Sequence, residues 1–329
     1  MCKNKNLKLD KTIDTTKIIS IDTKKFENKL DQGIVPIVDQ VSLDNIKIKL
    51  NYLSQFHNRH SKSTHINKAA DWLMNEFKNI GYHDAYFDNY KAYIDNCSYN
   101  LKNVICTKEG NDNKYILICA HYDTILNINL KDAISRAPGA NDNASGASAI
   151  LEIARILYNQ PQMKYSIQFV LFSGEERGLL GSEHYAQYVK ENGIQIFRLI
   201  NLDMIGNPFL GSGIVVVEVD NYDDKDDKCR YNKVKQNDKD SIECGTLMAK
   251  MSMYTDLKPP LLKHIYGSDY EHFEAKGHVV IGAYDGSAED ENPHYHSATD
   301  TPDLINWNYL TSVTKMVLAT ILTLEKETP

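Results

Sequence analysis

Apolar positions along this chain change period repeatedly, and the changes mark out its elements. From Ser42 to Phe56, Ile46, Ile48, Leu50 and Leu53 follow a helical pattern, with Asp44 in the first turn. A stronger helix follows, in which Ile66, Ala69, Ala70, Leu73, Phe77 and Ile80 share one face and Gly81 closes the end. Tyr82 to Tyr93 then alternates aromatic and polar residues, as an edge strand does. Asn103 to Thr107 is a second strand, Gly110-Asn111 a turn, and Tyr115 to Ala120 a buried strand that ends at His121. Ser145 to Leu157 reads as a helix. Ile167 to Phe172 is a nearly continuous apolar run bounded by Ser173 and Gly174, the mark of a strand covered on both faces.

The alternation continues with a helix near Ser182 to Lys190 and a strand Phe197 to Leu202 that ends at Asp203. A strand Ile214 to Val219, a helix around Ile242 to Tyr254, a strand near Leu261 and a short helix after Ser268 follow. A strand Val279 to Ala283 and a C-terminal helix over Asn306 to Glu325 complete the series. Strands and helices that alternate without a linker predict one three-layer α/β/α domain with a mixed, mostly parallel central sheet, over residues 41–329. Residues 1–40 are polar, Lys-rich and weakly periodic, and read as an N-terminal extension.

Composition narrows the class. With 42% hydrophobic and 25% charged residues the chain is ordinary for a globular protein. No apolar run is long enough to cross a membrane, so no transmembrane segment is expected. A net charge of -7 argues against nucleic acid as a partner. None of the six cysteines forms a close CxxC pair, which argues against a structural thiolate zinc site. Cys106 and Cys119 fall in strand-like runs and read as small core residues. Cys229 and Cys244 flank a polar insertion they would bridge in an oxidising compartment, and the charged stretch Asp220 to Asp240 reads as a solvated loop. Cys2, directly after Met1, suits the acylated first residue of a lipoprotein and hence an extracytoplasmic location; an ordinary N-terminal cysteine fits equally well.

The chemistry gathers at strand ends. Three buried strands finish at a potential ligand: His121, the adjacent pair Glu175-Glu176, and Asp203. In open α/β sheets the C-terminal ends of the strands border the site crevice. Two loops add Asp142, in Gly139-Ala140-Asn141-Asp142-Asn143, and His296, in Pro293-His294-Tyr295-His296-Ser297. Each alone is most often structural: an Asx cap, or a solvated pair of glutamates. Together, two histidines and three carboxylates match two divalent ions that share one carboxylate, and one glutamate is left over. Histidine and carboxylate without thiolate fit a hydrolytic Zn²⁺ pair better than a structural zinc. The spare glutamate is then placed to take a proton from water. In an extended segment the two neighbours point to opposite sides, so they would not face one ion equally. Asp123, two residues past His121, would accept the imidazole's other N–H.

At this point the motifs HYDT (His121 to Thr124), PGANDNASG (Pro138 to Gly146), FSGEERGLLGSEHYA, NLDMIG (Asn201 to Gly206), GSDYEHF (Gly267 to Phe273) and HYHSATDTPD (His294 to Asp303) resemble the M28 family of metallo-aminopeptidases. The resemblance runs from about Ile66 to the C-terminus, with all motifs in the family's order. It implies a phosphorylase/hydrolase-like fold, two co-catalytic Zn²⁺ ions and peptide substrates with a free N-terminus. By motif position it implies that His121 and Asp203 bind one zinc, Glu176 and His296 the other, and Asp142 bridges them. Glu175 would be the general base and acid, and Asp123 the partner behind His121. The chain departs from the family at Ser268-Asp269-Tyr270, where a Ser-Asp-His is common, and at Gly277-His278-Val279, where a Gly-Ile-Pro is common. Tyr266 and Tyr270 stand there as candidate oxyanion holders with no family residue to match them. The alternatives are a glutaminyl cyclase of the same fold with one zinc, and a binding module that keeps the fold without catalysis. Substrate preference and oligomeric state stay open at this level.

Overall fold

The computed structural model of the protein describes residues 19, 29–127, 131–208, 211–221, 237–265, 267–286 and 292–326. Among the described residues eight strands form one sheet: β1 (Tyr86–Ile94), β2 (Cys97–Lys108), β3 (Lys114–His121), β4 (Ser166–Phe172), β5 (Gln195–Leu202), β6 (Val216–Val219), β7 (Leu261–His264) and β8 (Val280–Tyr284). Their spatial order is β1-β2-β4-β3-β5-β8-β6-β7. The four central strands β4, β3, β5 and β8 are mutually parallel. Strands β2 and β6 run against their inner neighbours, and β7 is parallel to β6. The expected mixed sheet is present.

Period-two alternation sends each central strand's side chains to two separate cores. Ile116, Ile118 and Ala120 of β3, with Ile167, Phe169 and Leu171 of β4, enter the larger core. Leu117, Cys119, Val170 and Phe172 enter the smaller core on the other face. That is why both strands read as continuous apolar runs. The larger core is covered by α2 (Leu43–Leu53), α3 (Thr64–Ile80), α4 (Ser145–Tyr158), α6 (Asp238–Met251) and α8 (Trp307–Leu324). The smaller is covered by α5 (Leu180–Glu191) and α7 (Glu271–Glu274). Local chemistry fixes the ends. Ser63 caps α3 through the His65 N–H, Asn306 caps α8 through the Tyr309 N–H, and Gly81 closes α3 at φ 128°.

Two expectations need adjusting. A four-residue helix, α1 (Val35–Val38), lies within the segment read as an extension, and Ile34 and Val38 are buried in the larger core. Helix α6 begins at Asp238, earlier than its apolar pattern implied, because acidic residues favour a first helical turn. Cys2, Cys229 and most of the charged stretch 220–240 lie outside the described residues. Among the described residues no helix is long and apolar enough to cross a membrane.

Candidate metal centre

The chain passes from β3 to β4 on one side and then to β5 on the other, so the order reverses around β3. A crevice opens at such a reversal, at the C-terminal strand ends. Strand β3 delivers His121 there, as its last residue. Beyond β4, Gly174 at φ 77° turns the chain in the left-handed region that a side chain disfavours, and Glu175–Arg177 form one 3₁₀ turn. The glutamates therefore do not alternate across an extended segment, as the sequence led us to expect. One carboxylate oxygen from each and a ring nitrogen of His121 lie within 4.8 Å of one another. Asp203 follows β5 directly. Asp142 sits in an irregular loop before α4, at φ -110° and ψ 93°. Helix α4 starts hard against β5 because residue 146 is glycine: a Cβ there would stand 2.6 Å from the Leu202 carbonyl. His296 is held by Asn127, which donates its backbone N–H to the His296 carbonyl at 2.9 Å and places Oδ1 3.0 Å from Nδ1.

All five expected ligands meet. His121 Nε2 is 3.2 Å from Asp203 Oδ1 and 3.2 Å from Asp142 Oδ1. His296 Nε2 is 3.0 Å from Asp142 Oδ2 and 2.7 Å from Glu176 Oε2. Asp142 thus directs one oxygen into each of two sets, His121–Asp142–Asp203 and Asp142–Glu176–His296. Glu176 Oε1 is buried with no hydrogen-bond partner among the described residues. A neutral imidazole nitrogen has one proton or one lone pair and cannot satisfy two carboxylates at once. Buried carboxylates in such excess over cations are the arrangement a bound cation relieves, and the donor set of imidazole and carboxylate suits Zn²⁺.

The surrounding groups fix these side chains. Ser268 donates its hydroxyl to Asp203 Oδ2 at 2.7 Å and accepts from Asn201 Nδ2 at 2.8 Å. Asp123 is fully buried, but its Oδ1 lies 3.6 Å from His121 Nδ1, beyond hydrogen-bond distance. It accepts instead from the backbone N–H groups of Glu175 at 3.1 Å and Glu176 at 3.3 Å, and from the Ser61 hydroxyl at 3.2 Å. Asp123 thereby positions the glutamate turn, a role no sequence spacing announced. Arg59, also missed, is fully buried and donates to the carbonyls of Tyr122, Leu53, Pro138 and Gly139. Nothing periodic marks it: it stands in the irregular stretch His57-Asn58-Arg59-His60. Tyr270 is wholly buried in the smaller core, where its hydroxyl hydrogen-bonds the Glu218 carboxyl, and Tyr266 lies outside the described residues.

The electrostatics record crowded acid. Burial raises Glu176 to about 7, with Asp142 adding and His296 opposing. Burial, opposed by His121 and reinforced by Glu176 and Asp203, lifts Glu175 well above the carboxylate range. Burial works against charging His296, but Glu176 and Asp142 outweigh it and lift the ring to about 11. Burial likewise works against charging Arg59, lowering it to about 10 against the pull of Asp300, Asp123 and Asp142.

A model of Peptidase family M28 matches residues 103–321, and the chain belongs to that family. A probable zinc metalloprotease of Pyrenophora teres is 34% identical over 203 residues, covering 56% of this chain and 43% of its own length. A probable leucine aminopeptidase of Trichophyton verrucosum is 26% identical over 293 residues, covering 86% of this chain and 73% of its own. The chain therefore spans less than half of the first relative. Among solved structures, the LapA aminopeptidase of Legionella pneumophila superposes with a TM-score of 0.74 at 23% identity, over 92% of this chain and 77% of that one. A glutaminyl cyclase from Fimbriiglobus ruber shares the fold at a TM-score of 0.67 and 17% identity, over 90% of this chain and 97% of that one.

Proposed function

We propose that this protein is a zinc-dependent aminopeptidase that hydrolyses the N-terminal residue from peptides with a free N-terminus. The observation that supports it best is the division of Asp142 between two ligand sets, one oxygen toward His121 and the other toward His296. In this reading His121, Asp142 and Asp203 hold one Zn²⁺, and Asp142, Glu176 and His296 hold the second. The names of the relatives support both zinc and aminopeptidase activity. The catalytic unit is residues 41–329, with Ile34 and Val38 packed onto it.

Bound zinc would supply Lewis-acid polarisation of the scissile carbonyl and lower the pKa of the attacking water. The protein supplies the proton path. Glu175, the carboxylate left outside both ligand sets, takes the water's proton as the water attacks, then delivers it to the leaving amine. Asp123 holds the backbone of Glu175 and Glu176 from behind, so the base and its neighbouring ligand keep a fixed separation.

The second reading is a glutaminyl cyclase, which the fold allows. Two complete ligand sets count against a single-zinc site, and the presence of every ligand and the base counts against an inert binding module. Aminoacyl fluorogenic substrates with free and acetylated amines, assayed beside a peptide with N-terminal Gln, separate the three. Hydrolysis confined to free amines and abolished by a chelator is expected. Conversion of the Gln peptide to pyroglutamate without hydrolysis would assign the cyclase. No turnover of either, in zinc-loaded protein, would leave a binding module.

A further inference from the structure

Three consecutive backbone amides of the loop that carries Asp142 end on one residue of the loop that carries His296. Ala140 donates to the Asp300 carbonyl at 3.2 Å. Asn141 donates to Asp300 Oδ1 at 2.9 Å and Oδ2 at 3.1 Å, and Asp142 donates to Oδ2 at 3.0 Å. Asp300 is 4% exposed, and its own N–H returns to the Ser297 carbonyl at 3.2 Å, beside His296. From this we infer that Asp300 is a positioning residue: it clamps the Asp142 loop to the His296 loop and so sets the affinity of the ion site those two side chains share. The metal half of this inference rests on the aminopeptidase reading above; the clamp does not.

Residue 142 is not helical, so the amides of 140–142 have no place in a helical ladder and, being buried, need another acceptor. A carboxylate that accepts N–H groups forms the stronger, charge-assisted kind of hydrogen bond, and here it does so through both oxygens. The two side chains it spaces, Asp142 and His296, approach to 3.0 Å between Oδ2 and Nε2, a separation that a small shift of either loop would change. The far side of the loop is held independently: Asn141 Nδ2 donates to Asp285 at 2.8 Å, and Asn141 Oδ1 accepts from the Gly206 N–H at 2.8 Å. Losing Asp300 should therefore shift the Asp142 peptide without unfolding its surroundings.

The test is Asp300→Asn, which keeps the shape but turns an N–H donor toward amides that need an acceptor. Asp303→Asn, an exposed position nearby on the chain, is the control. Zinc affinities are read by competition with a chromophoric chelator, and amide exchange over 140–142 by mass spectrometry on metal-free protein. In Asp300→Asn one of two zinc sites should weaken by about 10–100-fold, the usual effect of removing an outer-shell partner. The 140–142 amides should be protected in the metal-free wild type and lose protection in the variant, while Asp303→Asn changes neither. Unchanged zinc affinities in a folded Asp300→Asn would overturn the tuning role. Free exchange at 140–142 in the wild type would overturn the clamp, and this measurement decides it even if the variant does not fold. A wild type that binds no zinc would instead bring down the functional reading and the tuning role together, with the exchange still deciding the clamp.

Discussion

Glu176 lies 2.7 Å from His296 Nε2, with its side chain 4% exposed, while Glu175 stands within 4.8 Å of a His121 ring nitrogen. Two neighbours of identical chemistry are thus sorted by what surrounds them. Replacing Glu175 by Gln should leave the zinc content near that of the wild type and cut kcat by about 10²–10⁴-fold, the contribution of general acid–base catalysis. KM should change far less than kcat, because the lost interaction belongs to the transition state. Glu176→Gln should weaken one ion site, and excess zinc should restore part of its activity but none of that of Glu175→Gln. The opposite pattern in metal analysis and steady-state kinetics would exchange the two roles. At this scale the cluster of imidazoles and carboxylates was legible, because each member stands at a strand end or in a short polar loop. What Asp123 does was not legible. Which N–H groups meet its carboxylate depends on the turn at 175–177, and that turn starts from the left-handed φ of Gly174, which a residue list leaves undetermined.

Strands β6 and β8 are paired antiparallel, with Glu218 opposite Gly282, and the Glu218 carboxyl is buried against β8 and Tyr270. Burial lifts it to about 8, with the Tyr270 hydrogen bond opposing. The folded chain therefore keeps a proton that the unfolded chain releases near 4.5. This group favours folding most below about pH 4.5, and the advantage is lost as pH rises through about 8. Glu218→Gln should remove that dependence. On metal-free protein, the variant's melting temperature relative to the wild type should rise steadily between pH 5 and 8, by an amount on the order of a few kcal/mol in stability. Parallel curves of melting temperature against pH would show that the carboxyl titrates elsewhere. Elements were legible where periodicity was long, as in α3 and β4. Helix α1 was too short to show a period, and the reversed directions of β6 and β7 leave no trace in an apolar pattern. Alternation reports which face a side chain takes and not which way the strand runs.

Across the whole molecule, the sheet separates two cores and gathers its chemistry at the C-terminal ends of its central strands. Helices α2, α3, α4, α6 and α8 cover one face, and α5 and α7 the other. The strand ends meet the Asp142 and His296 loops between these layers, so ligands distant in sequence become neighbours through the topology alone. The membership in Peptidase family M28 and the shared LapA fold agree with that architecture. Asp142 stands in both side-chain sets, so the expected stoichiometry is two ions per chain. That stoichiometry is read by titrating metal-free protein with zinc while following bound metal and hydrolysis of an aminoacyl substrate together. Saturation close to two zinc per chain is expected, with hydrolysis that appears on loading and disappears with a chelator. Saturation at one zinc, accompanied by formation of pyroglutamate from an N-terminal Gln substrate, would contradict it.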